Sequence, residues 1–189
     1  MKKRLISLFA MLWLPLFVMA QQRVIVDTDI DSDVDDAGTL VMLYTLHKQH
    51  KINLLGTIVT SDDPFAATCV SAFNAYYGMS ELPLGFLEGQ PFLKNHSRYT
   101  RQISEEFPHD LASWKEAETA TNTYRKLLAG SPDHSVIILT IGHLSSLQKL
   151  LQSPADRYSP LSGKQLVEAK VQKWYCMGGL FPEGKEANF

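Results

Sequence analysis

Beyond residue 20 the chain has no apolar run of membrane length, and its 189 residues include only two cysteines and no excess of basic side chains. Each shortage removes a class of function. Cys69 and Cys176 lie far apart without metal-ligand spacing, which excludes a zinc ribbon and a disulfide-built scaffold. Their apolar flanks predict two free, buried thiols. Eighteen Lys and Arg against 20 Asp and Glu leave a formal charge of −2, so a polyanion such as nucleic acid is not the partner. No internal repeat and no low-complexity segment interrupts the chain. The 45% hydrophobic content is that of an ordinary globular protein with a real core.

The first 20 residues have the three parts of a secretory signal. Lys2, Lys3 and Arg4 precede an apolar run from Leu5 to Met19, broken by Ser7 and Pro15, and Val18 and Ala20 are small enough for signal peptidase. No lipobox cysteine follows. The expectation is a signal peptide over 1–20 and one domain over 21–189, exported to the periplasm or secreted, with no stable membrane association after cleavage. Removing the three cations takes the formal charge to −5.

Apolar runs and helical spacings alternate along the rest. Val24 to Val26 reads as a strand, Asp35 to His50 as a helix, Ile52 to Val59 as a strand and Phe65 to Tyr77 as a helix. A weaker strand at Leu84 to Leu87 precedes a polar loop from Lys94 to Asp110, then a helix from Ser113 to Ala129. The strand Val136 to Thr140, the helices Leu144 to Gln152 and Gln165 to Ala169, and the strand Val171 to Cys176 complete the series. Continuous apolar strands between helices predict an α/β fold, an open, mostly parallel sheet with helices on both faces. Ligands in such sheets bind beyond the carboxyl ends of the strands. Polar residues stand there: Asp27 to Asp36, Ser61 to Asp63, Thr140 to His143, and Met177 onward.

Asp27, Asp29, Asp31, Asp33, Asp35 and Asp36 place six carboxylates within ten residues at a strand end. In a partly desolvated crevice they repel unless a cation joins them or some stay protonated. Oxygen ligands without nearby histidine or cysteine favour calcium or magnesium over zinc. Asp27 and Asp29, two apart, share a side while the chain stays extended, and Asp35 and Asp36 fall in a first helical turn that favours anions. An EF-hand is excluded, because Ser32 replaces the required glycine and Gly38 the required glutamate. A haloacid-dehalogenase-type phosphatase also pairs aspartates spaced like Asp27 and Asp29, but usually continues Gly-Thr where this chain has Ile30-Asp31.

Val24 to Leu40, VIVDTDIDSDVDDAGTL, resembles the metal-binding signature of the inosine-uridine preferring nucleoside hydrolases. Two later stretches agree in order: Val136 to Leu144, VIILTIGHL, with His143 where proline is common, and Met177-Gly178-Gly179 followed by Gly184 and Asn188-Phe189. The resemblance implies a nucleoside-hydrolase, Rossmann-like fold. It also implies calcium held by Asp29, Asp36 and the main-chain carbonyl of Thr140, with Asp29 as general base and Asp35 on the ribose hydroxyls. Asp33 is the alternative in either role, and Asn188 falls in the ribose-binding segment where a glutamate is frequent. Ser61, Asp62 and Asp63 replace a common Gly-Asn. The implied reaction is calcium-dependent hydrolysis of the N-glycosidic bond of a nucleoside to ribose and free base, through an oxocarbenium-like transition state.

The family places a histidine acid and a last calcium aspartate beyond Phe189, so the chain reads as a fragment or early termination, with its C-terminal part missing and little activity of its own. His96, His109 and His143 stand near loops without an assignable role, and Trp114 and Trp174 fit either a nucleobase platform or the core. Two other classes stay open. One is a non-catalytic ribose or nucleoside binder that needs no base, and the other is the magnesium-dependent phosphatase. A homo-oligomer is compatible with either.

Overall fold

The computed structural model describes residues 21–31, 34–87, 89, 98–179, 182–184 and 188. The expected signal peptide, Asp33 and His96 lie outside the described residues. Six strands, β1 (Gln22–Thr28), β2 (Ile52–Val59), β3 (Leu84–Phe86), β4 (Glu118–Thr119), β5 (Val136–Thr140) and β6 (Val171–Cys176), form one sheet in the order β4-β3-β2-β1-β5-β6. Every ladder is parallel. From β1 the chain steps outward to β4, then returns to lay β5 and β6 on the other side of β1. The winding therefore reverses between β1 and β5, which opens a crevice at their carboxyl ends.

Helices α1 (Asp35–Lys48), α2 (Ala66–Tyr76) and α3 (Tyr99–Glu106) cover one face. Helices α4 (Ala120–Ala129), α5 (Ser145–Gln152) and α6 (Gly163–Lys170) cover the other. Strand alternation divides β1 between them: Val24 and Val26 pack with Leu40, Tyr44 and Val70, whereas Ile25 packs with Tyr124, Leu128 and Leu150. Fully burying side chains of this size contributes roughly 1.5–3 kcal/mol each before chain entropy is subtracted. Among the described residues no helix is long and apolar enough to cross a membrane.

Three expectations are corrected. The polar stretch after Lys94 contains α3, an eight-residue helix that buries Thr100 and Ser104 against α2. The single helix expected over Ser113 to Ala129 is a 3-10 turn at Trp114–Glu116, then β4, then α4. Thr119 is extended at φ −65°, ψ 146°, and its hydroxyl accepts the Asn122 amide, so α4 starts only after it. Trp114 consequently leaves the helix pattern and packs against Phe86, ring centres 5.6 Å apart. Among the described residues β6 pairs with β5 alone, and Trp174 and Tyr175 are half exposed rather than core. Cys69 and Cys176 are both free; Cys69 is buried, its thiol pushed up to about 12 by burial, while Cys176 is only partly covered.

The same alternation sends Asp27 to the α4–α6 face with Ile25. Its carboxylate is fully buried, accepting the Thr60 hydroxyl at 2.5 Å and the Tyr124 hydroxyl at 2.7 Å, and Ser146 Oγ lies 2.6 Å from Thr60 Oγ1. Burial outweighs these hydrogen bonds and pushes the acid up to about 7. A second buried polar group, Arg125, ties α4 to the segment between α5 and α6. Its guanidinium donates to Ser153 Oγ, Asp156 Oδ1 and the carbonyls of Ser159 and Leu161, and holds the Asp156 carboxyl below the usual range.

Arg125→Ala removes the buried donor to Ser153 Oγ and to the Ser159 and Leu161 carbonyls, takes the cation from Asp156, and is expected to lower unfolding free energy by roughly 2–4 kcal/mol in urea titrations. A change within experimental error would show that the segment holds itself. Asp27 sets a pH dependence, because its native acid is raised above the ordinary value of 3.8 toward 7. Stability from the protonated form is complete below that ordinary value and is lost as pH rises through the native one. In chelator, Asp27→Asn is expected to flatten that part of the stability profile, and an unchanged slope would place the proton elsewhere.

Candidate functional site

β1 ends at Thr28, and the chain turns immediately into the loop that carries Asp29. Thr28 holds the turn from both sides: its Oγ1 accepts the Ile30 amide at 3.2 Å and donates to Asp36 Oδ1 at 2.5 Å. Ile30 is fully buried and roots the loop in the α1-side core. Asp35 and Asp36 open α1, where unpaired helical amides favour negative charge. Asp36 points inward and is buried, while Asp35 is exposed.

Asp29 meets three neighbours. Its carboxyl group hydrogen-bonds with that of Asp36, so the two acids share a proton or require a cation. His143 Nε2 lies 3.5 Å from Asp29 Oδ2. The turn after β5 packs so tightly against it that a Cβ on Gly142 would lie 2.5 Å from Asp29 N and Oδ1. Glycine is therefore required there by close approach. The Asp29 acid is raised by burial first and also by the charge of Asp35, against the lowering effects of His143, its own backbone amide and the Asp36 hydrogen bond.

The remaining expected residues are distributed more widely. Thr140 pairs in register with Asp27, and its carbonyl accepts the Met177 amide at 2.8 Å, leaving a second lone pair on the oxygen. Trp174 Nε1 donates to Thr140 Oγ1 at 3.0 Å. Asn188 donates to the Met177 carbonyl at 3.0 Å and lines an apolar groove of about 540 Å³ on the α5–α6 side, at the β6 edge. Asp31 is turned toward α3, where its Oδ1 accepts the Arg98 amide and lies 3.1 Å from the Thr100 hydroxyl. Asp27 faces α4. The aspartates first read as one cluster thus divide: Asp29, Asp35 and Asp36 share the crevice, whereas Asp27 and Asp31 serve the two flanking layers. The expected shared side for Asp27 and Asp29 fails because the strand stops at Thr28, between them.

Residues passed over in the sequence complete the site. Gly142 was visible only as part of a strand-end turn, and Thr28 as a small polar residue inside an acidic run. Among the described residues no three acidic, histidine or cysteine side chains converge tightly enough to enclose an ion alone. In kind, the oxygen donors fit a hard cation: two hydrogen-bonded carboxylates, a third nearby, and a carbonyl lone pair, although the His143 imidazole beside Asp29 corrects the expectation that no histidine is near. Among the described residues they fall short of the 6–8 oxygens that calcium takes.

No family model and no curated protein matches this sequence. Solved structures do match. The type III effector protein XopQ, complexed with adenosine diphosphate ribose, is 20% identical over 86% of this chain and 44% of that chain, with a TM-score of 0.62. The effector protein XOO4466 is 19% identical over 89% of this chain and 48% of its own, with a TM-score of 0.65. A plant nucleoside hydrolase, PpNRh1, is 16% identical over 84% of this chain and 48% of its own, with a TM-score of 0.56. The chain spans less than half the length of each of these structures, and at such identities the likeness is one of fold. What the chain has in common with them is the doubly covered, parallel α/β fold of a nucleoside hydrolase and of these two effectors.

Proposed function

We propose that this chain carries the ribose- and metal-binding part of an exported nucleoside N-glycosidase, a hydrolase that releases a free base from a ribonucleoside. The observation that carries the reading is the hydrogen-bonded pair Asp29 and Asp36 at the reversal between β1 and β5, backed by the Gly142 turn. Calcium is the proposed ion, with Asp29, Asp36 and the Thr140 carbonyl as its protein ligands; when bound it would orient the ribose diol and acidify water.

In this reading Asp29, raised by burial, accepts the proton of the attacking water. Asp35, exposed at the rim, accepts hydrogen bonds from ribose hydroxyls, with Asp33 as the alternative. Positive charge growing on the sugar is stabilised by the surrounding carboxylates, which are held in place before the reaction by Thr28 and the α1 amides. A second reading, ribose binding without chemistry, draws on the adenosine diphosphate ribose held by XopQ. The phosphatase reading loses its nucleophile, because Asp27 is fully buried between Thr60 and Tyr124.

Terbium luminescence provides the test. Asp29→Asn and Asp36→Asn are expected to weaken terbium binding, and its displacement by calcium, about 10–100-fold. Asp27→Asn is expected to leave the affinity within about threefold, as a residue outside the ion's ligands should. Equal affinity in all four proteins would overturn the metal assignment. Gly142→Ala pushes a methyl group into Asp29 and is expected to behave like the ligand variants in the same titration while retaining the wild-type circular dichroism.

The two functional readings separate on Asp29. If the chain, or a longer form containing it, turns over inosine or uridine, Asp29→Asn should lower kcat by about 10²–10⁴ with KM little changed. Nucleoside binding with no base release by any form favours the binder.

A further inference from the structure

Helix α3 has a polar outer surface, with Arg101, Gln102, Glu105 and Glu106 exposed. Its inner side makes a specific set of polar contacts at the carboxyl ends of β1 and β2. Thr100 is fully buried, and its hydroxyl lies 2.5 Å from Asp63 Oδ2 and 3.1 Å from Asp31 Oδ1. One hydroxyl carries one proton, so Thr100 donates to Asp63 while Asp31 is held from the same helix end by the Arg98 amide at 3.1 Å. Asp63 is itself tied down: its amide donates to Ser61 Oγ, and its Oδ1 accepts the Phe65 amide at the start of α2. Ser104, one turn along α3, donates to Thr68 of α2 at 2.6 Å.

These bonds connect two loops that the sheet alone leaves separate. Asp31 belongs to the loop that begins with Asp29 and ends at Asp35 and Asp36, and Asp63 belongs to the loop after β2. Ile30 anchors the first loop in the core, and Asp31 anchors it again to α3. With residues on both sides of it fixed, Asp29 has little freedom beside Gly142 and Asp36.

We propose that Thr100 is a positioning residue: its hydroxyl, buried between Asp31 and Asp63 and donating to Asp63, locks the Asp31-binding end of α3 to the loop after β2 and thereby sets Asp29 against Asp36. The proposal rests on the metal-site reading for its consequence, though not for its geometry. Thr100→Val keeps the shape and removes the donor, and Thr100→Ser restores it.

Amide hydrogen exchange in chelator reads the lock directly. Thr100→Val is expected to speed exchange of residues 29–31 about tenfold or more, with the β5 amides unchanged, because a local opening is affected and not global unfolding. Thr100→Ser should return the rates to within about threefold of wild type. In terbium titrations Thr100→Val should weaken binding about tenfold, with rescue by Thr100→Ser. Unchanged exchange at residues 29–31, or a uniform acceleration that includes β5, overturns the lock. Altered exchange together with unaltered terbium affinity overturns the positioning role. A wild-type chain that binds no terbium overturns the metal reading instead, while the exchange comparison still decides whether the lock exists.

Discussion

Carboxylates at positions 27, 29, 31, 35 and 36 fall within ten residues, and in a partly dry crevice each must find a proton, a hydrogen-bond donor or a cation. The structure gives them different answers. Asp27 takes two hydroxyl donors and a raised pKa on the α4 face. Asp31 takes the Arg98 amide at the start of α3, beside the Thr100 hydroxyl. Asp35 stays in water. Asp29 and Asp36 face each other, and that pair is the part of the cluster whose repulsion a bound cation would relieve.

The division follows from where β1 stops. A strand alternates its side chains, so Asp27 goes with Ile25 to one helical layer and Thr28 goes with Val26 to the other. Because the ladder ends at Thr28, Asp29 is free of that alternation and is directed by its loop. Thr28 then does for Asp36 what Tyr124 and Thr60 do for Asp27, offering a hydroxyl to a buried oxygen. A single additional residue of strand would carry Asp29 into the alternation and toward α4, away from Asp36.

Much of the architecture was legible in the sequence because its inner strands are buried on both faces. The bounds of β2 and β5 coincide with apolar runs between turn residues, and the alternation with helices determines a parallel sheet. What stayed hidden was held by polar contacts. α3 has few apolar residues facing the core, chiefly Tyr99 and Ile103, and its attachment through Thr100 and Ser104 has no periodic signature. β4 and the late start of α4 depend on one extended threonine, Thr119, inside a helix-compatible stretch. The orientation of Asp27 needed the strand end, which spacing alone leaves uncertain by a residue or two.

The crevice also shows why metal and sugar would be bound at this place in the sheet and not along its edges. Where the winding reverses, two neighbouring strand ends, β1 and β5, send their following loops to opposite faces, leaving room between them. Into that room β1 contributes an acid, α1 contributes a second acid at its amide-rich end, and β5 contributes a turn whose glycine lets the backbone touch the first acid. Each feature has an ordinary structural use alone. Their coincidence brings a desolvated carboxylate pair, a positive helix end and a close-packed glycine to one point, where burial raises the Asp29 acid above its ordinary value. The chemistry proposed for the chain is therefore a consequence of the sheet's winding and of the length of one strand.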